Sequence, residues 1–132
     1  MLQATAVFSG ISVGDLAKAE EFYTKTLGLK LDNKEMGLQF SLPGGGKLFL
    51  YDKPDHKPAT FTVLNFVVDD IDKAVDDLVA AGVEFEHYDN PVVEDAPKQD
   101  DKGIARGKSA NMGPDIAWYK DPAGNILSVL QN

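Results

Sequence analysis

The chain has 132 residues, of which 43% are hydrophobic and 26% are charged, with a formal net charge of −8 and no cysteine. This composition is typical of one globular domain, and its acidic balance argues against a nucleic-acid partner and against an anionic membrane surface. No apolar run approaches the roughly 20 residues of a transmembrane helix, and the N-terminus lacks the basic segment of a signal peptide. We therefore expect a cytoplasmic protein without disulfides or thiolate metal ligands.

The first half of the sequence predicts one strand, one helix and three further strands. Residues 4–13 form an apolar run, and Asp15 is a natural N-cap for the helix that follows. Its apolar stripe ends before Gly28, a residue type favoured just past a helix. The further strands are expected from residue 29, over 36–41 and over 47–51. Residues 52–60 are polar with two prolines, which indicates a linker.

The same order of elements begins again after the linker. Residues 61–68 predict a strand, Asp70 is a second N-cap, and Gly82 ends a second amphipathic helix. Residues 83–85 are expected to begin the next strand. The chain closes with an apolar hairpin over residues 116–130.

The two halves align as two copies of one strand–helix–strand–strand–strand repeat. Three anchor pairs carry the alignment: Val13 with Val68, Gly28 with Gly82, and Pro43 with Pro122. Their offsets are 55, 54 and 79 residues, so the second copy holds an insertion of 25 residues before its closing hairpin. We expect a single domain over 1–132, with one module at about 1–53, a linker at about 54–60 and a second module at about 61–132.

The insertion, residues 89–114, is rich in acids, prolines and glycines. A loop of this length within a compact domain is usually functional or mobile. We interpret it as a lid or rim over a pocket, with a short strand at 104–107 and with Arg106 and Lys108 as contacts to an anionic ligand. Solvated disorder is an equally open alternative.

Three parts of the chain carry distinctive motifs: residues 22–29 (FYTKTLGL), residues 67–71 (VVDDI) with 80–83 (AAGV), and residues 117–125 (AWYKDPAGN). These motifs resemble the signatures of the glyoxalase/bleomycin resistance/dioxygenase superfamily, also called vicinal oxygen chelate proteins. The resemblance covers nearly the whole chain apart from the linker and the insertion. It implies an α+β fold in which two βαβββ modules form an open, incomplete barrel around a pocket, usually in a homodimer.

Enzymes of this superfamily hold a divalent metal through His, Glu or Gln at four equivalent strand positions. The resemblance maps these positions to Phe8, Phe49, Val63 and Ser128. Phe and Val side chains have no lone pair to donate, and a lone Ser hydroxyl is a poor metal ligand. We therefore expect no metal and no other cofactor, and the sequence identifies no catalytic residue.

A displaced metal site is the remaining enzymatic possibility. Glu84, Glu86 and His87 form a small cluster of potential ligands, and the two acids share one face of a strand. We favour a solvated outer face as the interpretation of this cluster. The other histidine, His56, lies in the predicted linker.

Alternation along the strands predicts which side chains line a pocket. The predicted ligand-binding residues are Phe8, Phe49, Tyr51, Val63, Asn65, Trp118 and Ser128. Inward aromatic side chains with a few polar groups suit a flat or hydrophobic small molecule. The equal alternative is that these side chains fill the cavity. Trp118 and Tyr119 project to opposite faces, and the sequence does not decide which one lines the pocket.

The leading hypothesis is a metal-independent small-molecule-binding protein that sequesters a hydrophobic or aromatic compound, similar to the antibiotic resistance proteins of the superfamily. The second hypothesis is a superfamily lyase, isomerase or dioxygenase with a displaced metal site. The third is a regulatory or interaction module with a vestigial pocket. The expected partners are a small-molecule ligand and a second copy of the chain, with no nucleic acid and no membrane.

Overall fold

The computed structural model describes residues 1–88 and 97–132. The chain divides into two compact units, Met1–Pro58 and Ala59–Asn132, which we call module 1 and module 2. The division falls inside the predicted linker, and each module is described by itself. Within the described residues, no helix is long and apolar enough to cross a bilayer.

Module 1, all of which the structure describes, contains four strands and one helical segment. The strands are β1 (Ser9–Val13), β2 (Lys30–Asn33), β3 (Leu38–Ser41) and β4 (Lys47–Asp52), and the helical segment is α1 (Leu16–Glu21) continued by a π-helical turn (Phe22–Thr26). The strands form one sheet in the order β1-β4-β3-β2. β1 runs parallel to β4, and the other neighbours are antiparallel.

The helical segment of module 1 begins and ends where the sequence predicts. The Asp15 carboxylate accepts a hydrogen bond from the Lys18 backbone N–H at 3.1 Å, and Gly28 adopts a φ of +71° after the last turn. The segment buries Tyr23, whose ring centroid lies 5.8 Å from that of Phe40 on β3. Both side chains are fully buried, so this face of the sheet belongs to the core of module 1.

Module 2 repeats the plan of module 1. Its described elements are β5 (Thr62–Val67), α2 (Ile71–Ala80), β6 (Ala105–Arg106), β7 (Asp115–Lys120) and β8 (Ile126–Gln131). The sheet order is β5-β8-β7-β6, with β5 parallel to β8 and the other neighbours antiparallel. Asp70 caps α2 by accepting from the Lys73 N–H at 3.0 Å, and Gly82 follows with a φ of +98°. The predicted α+β class with two βαβββ modules is confirmed.

The registers of the two sheets confirm the repeat. Two cross-strand pairs of module 1 have counterparts in module 2: Gly10–Phe49 corresponds to Asn65–Ser128, and Leu31–Phe40 corresponds to Phe85–Tyr119. These correspondences carry the offsets of 55, 54 and 79 residues that the sequence alignment gives. The extra residues of module 2 therefore lie between Phe85 and β7.

Two of the predicted strands are partly wrong. Residues 4–8 lie outside β1, which begins at Ser9. Residues 83–85 form no strand, because Phe85 makes only a single bridge to β7. The rest of that sheet edge is occupied by β6 from the insertion, so the short strand predicted within residues 104–107 is confirmed. A strand at a sheet edge has one neighbour, and an inserted segment can therefore replace part of it without disturbing β7 and β8.

Candidate ligand-binding site

The module 1 sheet has one packed face and one open face. Along β4, Leu48 and Leu50 are buried, while Phe49 and Tyr51 project from the opposite side of the strand. A groove with a volume of about 550 Å³ includes Phe49 in its lining. This volume lies within the range of small-molecule binding sites.

Aromatic rings form the floor of this groove. The Phe8 and Phe49 ring centroids lie 6.5 Å apart with the ring planes nearly perpendicular. The Tyr51 ring extends the series by stacking on Phe49, with centroids 5.8 Å apart and planes inclined by 19°. The other apolar residues of the lining are Ala6, Val7 and Met36, together with Phe40 and Leu48, whose side chains are buried in the core. Phe8 is 65% exposed, so an aromatic surface remains uncovered within module 1.

A glycine beneath the groove floor allows the Phe49 ring to pack closely against the backbone. Gly37 has a φ of +151°, and a Cβ atom there would lie 2.5 Å from the Leu50 carbonyl oxygen and 2.8 Å from the Phe49 ring. Both distances are shorter than any ordinary contact. Only a residue without a side chain therefore allows the ring to approach the backbone this closely.

A pair of amides gives the groove a polar wall. Asn33 at the end of β2 and Gln39 on β3 both line the groove. Asn33 Nδ2 donates a hydrogen bond to Gln39 Oε1 at 3.2 Å. The two residues are cross-strand neighbours, and Gln39 is also the neighbour of Phe49 on its other side. The amide pair and the aromatic floor are consequently adjacent.

An ion pair marks another part of the groove lining. The Ser41 hydroxyl donates to Asp32 Oδ2 at 2.7 Å, and Lys47 Nζ donates to the same oxygen at 3.2 Å. These hydrogen bonds, the one from Ser41 first, lower the pKa of Asp32 below its ordinary value. Lys47 Nζ also contacts the Ser41 hydroxyl oxygen at 2.8 Å. The Lys47 ammonium group therefore already has hydrogen-bond partners within the protein.

The corresponding face of module 2 is more closed. Ser128, the counterpart of Phe49, is fully buried and donates a hydrogen bond to Asn65 Oδ1 at 2.6 Å. Val63 lies at a break in the β5–β8 register. Trp118 is partly exposed and packs edge-on against Tyr88, with ring centroids 5.7 Å apart. The structure thus brings Phe8, Phe49 and Tyr51 together in module 1, and Asn65 and Ser128 together in module 2.

The structure also distinguishes Trp118 from Tyr119, which the sequence does not. The Tyr119 ring is fully buried beside Phe85, with centroids 5.4 Å apart. Burial of the Tyr119 hydroxyl raises its pKa above the ordinary value. Tyr119 therefore belongs to the core of module 2, and Trp118 is on the opposite, open face.

The residues at the metal positions of the superfamily do not fit a metal. The sheet registers place Phe49 and Ser128 at equivalent positions, and the Ser128 hydroxyl already donates to Asn65. Over residues 1–88 and 97–132, no group of three or more His, Cys, Asp or Glu side chains is arranged to hold a metal ion. Within the alternative cluster, the Glu86 carboxylate lies 3.7 Å from Lys120 Nζ. No reaction step through a metal follows from this donor set.

The contact of Arg106 with an anionic ligand stays a prediction, and the structure gives its guanidinium partners within the protein. Its guanidinium forms a two-point contact with Asp72 on α2, at 2.8 and 3.0 Å, and its Nε donates to Asp100 at 3.0 Å. The hydrogen bonds from Arg106 lower the pKa of Asp72 to about 2. Arg106 therefore attaches the insertion to the helix of its own module.

Solvated disorder is wrong for the described part of the insertion, residues 97–114. Ile104 is fully buried, and Gln99 uses its amide to bind the backbone of Glu86, Tyr88 and Gly103. Residues 89–96 lie outside the described residues. The role as a lid and the contact through Lys108 stay predictions.

Sequence reasoning missed the polar and flexible part of the groove lining: Asp32, Asn33, Met36, Gln39 and Lys47. One signal was present for Gln39, because a hairpin of the strands predicted over 36–41 and 47–51 pairs it with Phe49. No comparable signal existed for Asn33. Its place opposite Gln39 depends on an irregularity in the β2–β3 register, which is not visible in the sequence.

The fold and the groove together define a class: an α+β protein of two βαβββ modules with an open sheet face suited to a small molecule. The family model of the glyoxalase/bleomycin resistance protein/dioxygenase superfamily matches residues 5–129. The chain therefore belongs to this superfamily, which confirms the resemblance found in its motifs. No match was found among curated proteins.

Solved structures of this superfamily share the fold. A member from Sphaerobacter thermophilus has 26% sequence identity and a TM-score of 0.66, over 99% of this chain and 100% of that chain. TnmS3, an antibiotic-binding protein from Streptomyces sp. CB03234, has 24% identity and a TM-score of 0.67, over 99% and 98% of the two chains. A lactoylglutathione lyase from Agrobacterium tumefaciens has 24% identity and a TM-score of 0.63, over 98% and 96%. The last two similarities establish the fold alone.

Proposed function

We propose that this protein is a metal-independent small-molecule-binding protein of the cytoplasm that sequesters a hydrophobic or aromatic compound. The observation that carries the proposal is the groove of about 550 Å³ in module 1, with its aromatic floor of Phe8 and Phe49. A planar ligand stacked on these rings would bury apolar surface of both partners. Burial of about 100 Å² of apolar surface contributes roughly 2.5 kcal/mol, so two covered rings supply useful affinity.

The proposed binding residues of module 1 are Phe8, Phe49 and Tyr51, and those of module 2 are Val63, Asn65, Trp118 and Ser128. In module 2, a half-exposed Trp118 and an exposed Asn65 supply an apolar surface and a polar contact. Ser128 contributes less to ligand contact than Asn65, because Ser128 is buried and orients Asn65 through its hydrogen bond. Both open faces therefore offer aromatic contact together with one or more amides.

We also propose that the protein is a homodimer, as the resemblance of its motifs to the superfamily implies. Phe61 and Val67 in module 2 are 68% and 65% exposed, and large apolar side chains at this level of exposure are common at interfaces between copies. Sedimentation equilibrium across a range of protein concentrations tests this part of the proposal. A mass of one chain at all concentrations contradicts it.

A ligand screen by thermal unfolding tests the binding function. We expect planar aromatic compounds to raise the unfolding temperature of the protein, because a ligand at 100 times its Kd adds about 2.7 kcal/mol to the free energy of unfolding. Phe49→Ala should abolish most of this gain. Val79→Ala is the control, since it removes an exposed apolar side chain that lies outside the groove and is not among the residues proposed for the dimer interface.

Two results would contradict the proposal. Equal ligand effects in Phe49→Ala and Val79→Ala would mean that the groove is not the binding site. About one tightly bound metal ion per chain by elemental analysis, with loss of ligand binding on chelation, would favour the superfamily enzymes with a displaced metal instead.

A further inference from the structure

The two amides of the groove have fixed orientations. The backbone N–H of Glu35 can only donate, and it donates to Asn33 Oδ1 at 3.2 Å. Asn33 must therefore present Nδ2 to Gln39, where it donates to Oε1 at 3.2 Å. Since the orientation of a side-chain amide follows from the network around it, this relay leaves the Nε2 group as the outer end of the Gln39 amide.

A β-bulge in β2 makes the relay possible. Leu31 pairs with Phe40, and Asn33 pairs with Gln39, so Asp32 is an extra residue between the two pairs. Without the bulge, strict alternation would place Asn33 on the same face as Leu31. The extra residue instead brings Asn33 beside Gln39 in the groove lining.

The Nε2 group of Gln39 has two N–H donors, and it makes no hydrogen bond with any residue that the structure describes. The cationic side chain in the groove lining, Lys47, already donates to Asp32 and Ser41. Gln39 is half-buried. A hydrogen bond from a half-buried donor to an acceptor on the ligand therefore adds to the free energy of binding. The groove therefore offers the NH₂ group of Gln39 as an uncommitted donor group beside an aromatic floor.

We propose that Gln39 determines ligand specificity by donating an N–H···O hydrogen bond to a carbonyl oxygen on a planar aromatic ligand. Gln39 and Phe49 are direct cross-strand neighbours, and such neighbours have Cβ atoms only about 5 Å apart. A ring that stacks on Phe49 consequently brings an oxygen at its edge within reach of the Gln39 amide. The ligand class is aryl carbonyl compounds, and Asn33 is the positioning residue. This inference rests on the proposed function.

A matched pair of probes, 9-fluorenone and fluorene, tests the inference. The two compounds share one planar ring system and differ in a single carbonyl oxygen. We expect the native protein to bind 9-fluorenone roughly three- to tenfold more tightly than fluorene, because one neutral hydrogen bond contributes this factor. Gln39→Leu should lower the ratio of the affinities for 9-fluorenone and fluorene to about one. Nitrogen-15 NMR should show a shift of the Gln39 side-chain NH₂ signals with 9-fluorenone alone.

A second variant tests the relay without changing Gln39. Asn33→Asp cannot donate, so the Gln39 amide should turn its Nε2 group toward the new carboxylate and its Oε1 toward the ligand. The preference for 9-fluorenone should then disappear, while fluorene binding persists. A merely structural role of Asn33 would change the affinities for both probes equally.

The outcomes separate this inference from the proposed function. Equal binding of the two probes by the native protein, with loss of both in Phe49→Ala, would overturn the role of Gln39 and leave the proposed function standing. A preference that survives in Gln39→Leu would also overturn it. If the native protein binds neither probe, both the proposed binding of planar aromatic ligands in the groove and the proposed role of Gln39 are overturned.

Discussion

The two modules have the same strand order and the same cross-strand register, yet their open faces differ. Module 1 presents the exposed ring of Phe8 and the half-buried ring of Phe49 beside two amides in a groove. At the position equivalent to Phe49, module 2 has the buried Ser128, whose hydroxyl is bound to Asn65. The shared backbone plan therefore does not determine what the face can bind. That capacity depends on a few side chains at equivalent positions.

The edges of the two sheets differ as well. The edge strand of module 1 is continuous, and its bulge places Asn33 in the groove. The edge of module 2 is divided between a bridge at Phe85 and the short strand β6, which Arg106 attaches to α2. The edge of module 1 thus contributes to the candidate site, while the edge of module 2 is stabilised by an ion-pair network.

The largest expected effect concerns the glycine beneath Phe49. Gly37→Ala should lower the free energy of unfolding by about 3 kcal/mol, because a Cβ atom at this φ collides with the Leu50 carbonyl and the Phe49 ring. The variant should also weaken binding of aromatic ligands, since the displaced ring disrupts the groove floor. Urea unfolding and ligand titration measure the two effects. Gly14→Ala is the control, because its Cβ would meet no atom within 4 Å.

The next effect concerns the network that attaches the insertion in module 2. Arg106→Gln should lower the free energy of unfolding by about 1.5 kcal/mol, because a two-point contact with Asp72 is lost while solvent screens part of the interaction. Hydrogen exchange should accelerate at Ala105. Lys108→Gln, which removes a charge from the same segment, serves as the control, and equal effects of the two variants would contradict the role of Arg106.

The same network has a defined pH dependence. The pKa of Asp72 is about 2 in the folded protein and 3.8 as the ordinary value. Its contribution to stability is therefore complete above about pH 4 and is lost as the pH falls through 2. The difference between the native protein and Arg106→Gln should shrink over that interval in urea unfolding. A constant difference down to pH 2 would mean that another group carries it.

The smallest expected effect concerns the hydrogen bond between Ser128 and Asn65 on the closed face of module 2. Ser128→Ala should lower the free energy of unfolding by about 1 kcal/mol, because the buried hydroxyl no longer donates to Asn65. Urea unfolding measures the change, with the exposed Ser9→Ala as control. An effect no larger than that of the control would show that the hydrogen bond adds nothing to stability.

Much of the fold follows from local signals in the sequence. The helix ends are predictable because caps depend on neighbouring backbone groups alone. Asp15 and Asp70 cap the two helix N-termini, and Gly28 and Gly82 follow the C-termini. The repeat offsets then predict that the two sheets share one register, since a one-residue shift would turn a whole strand over. The replacement of residues 83–85 by β6 was not predictable, because it depends on which of two segments pairs better with a distant strand.

The candidate site is predictable only in part. The alternation around Phe8, Phe49 and Tyr51 follows from the sequence, because strand periodicity is fixed. The participation of Asn33 depends on one extra residue in β2, which has no sequence signature. Arg106 was assigned to a ligand because its carboxylate partners, contributed by separate elements, come together only in the folded module.

Each sheet is assembled from strands of a single continuous stretch of sequence. All four strands of module 1 lie before Pro58, including the parallel pair β1 and β4. During synthesis, this sheet has every partner it needs before most of the remaining chain has left the ribosome. Because domains generally fold as units, the N-terminal one first, the exposed aromatic face of module 1 forms early in translation. We expect this face to be open to contacts with other molecules while module 2 is still being synthesised.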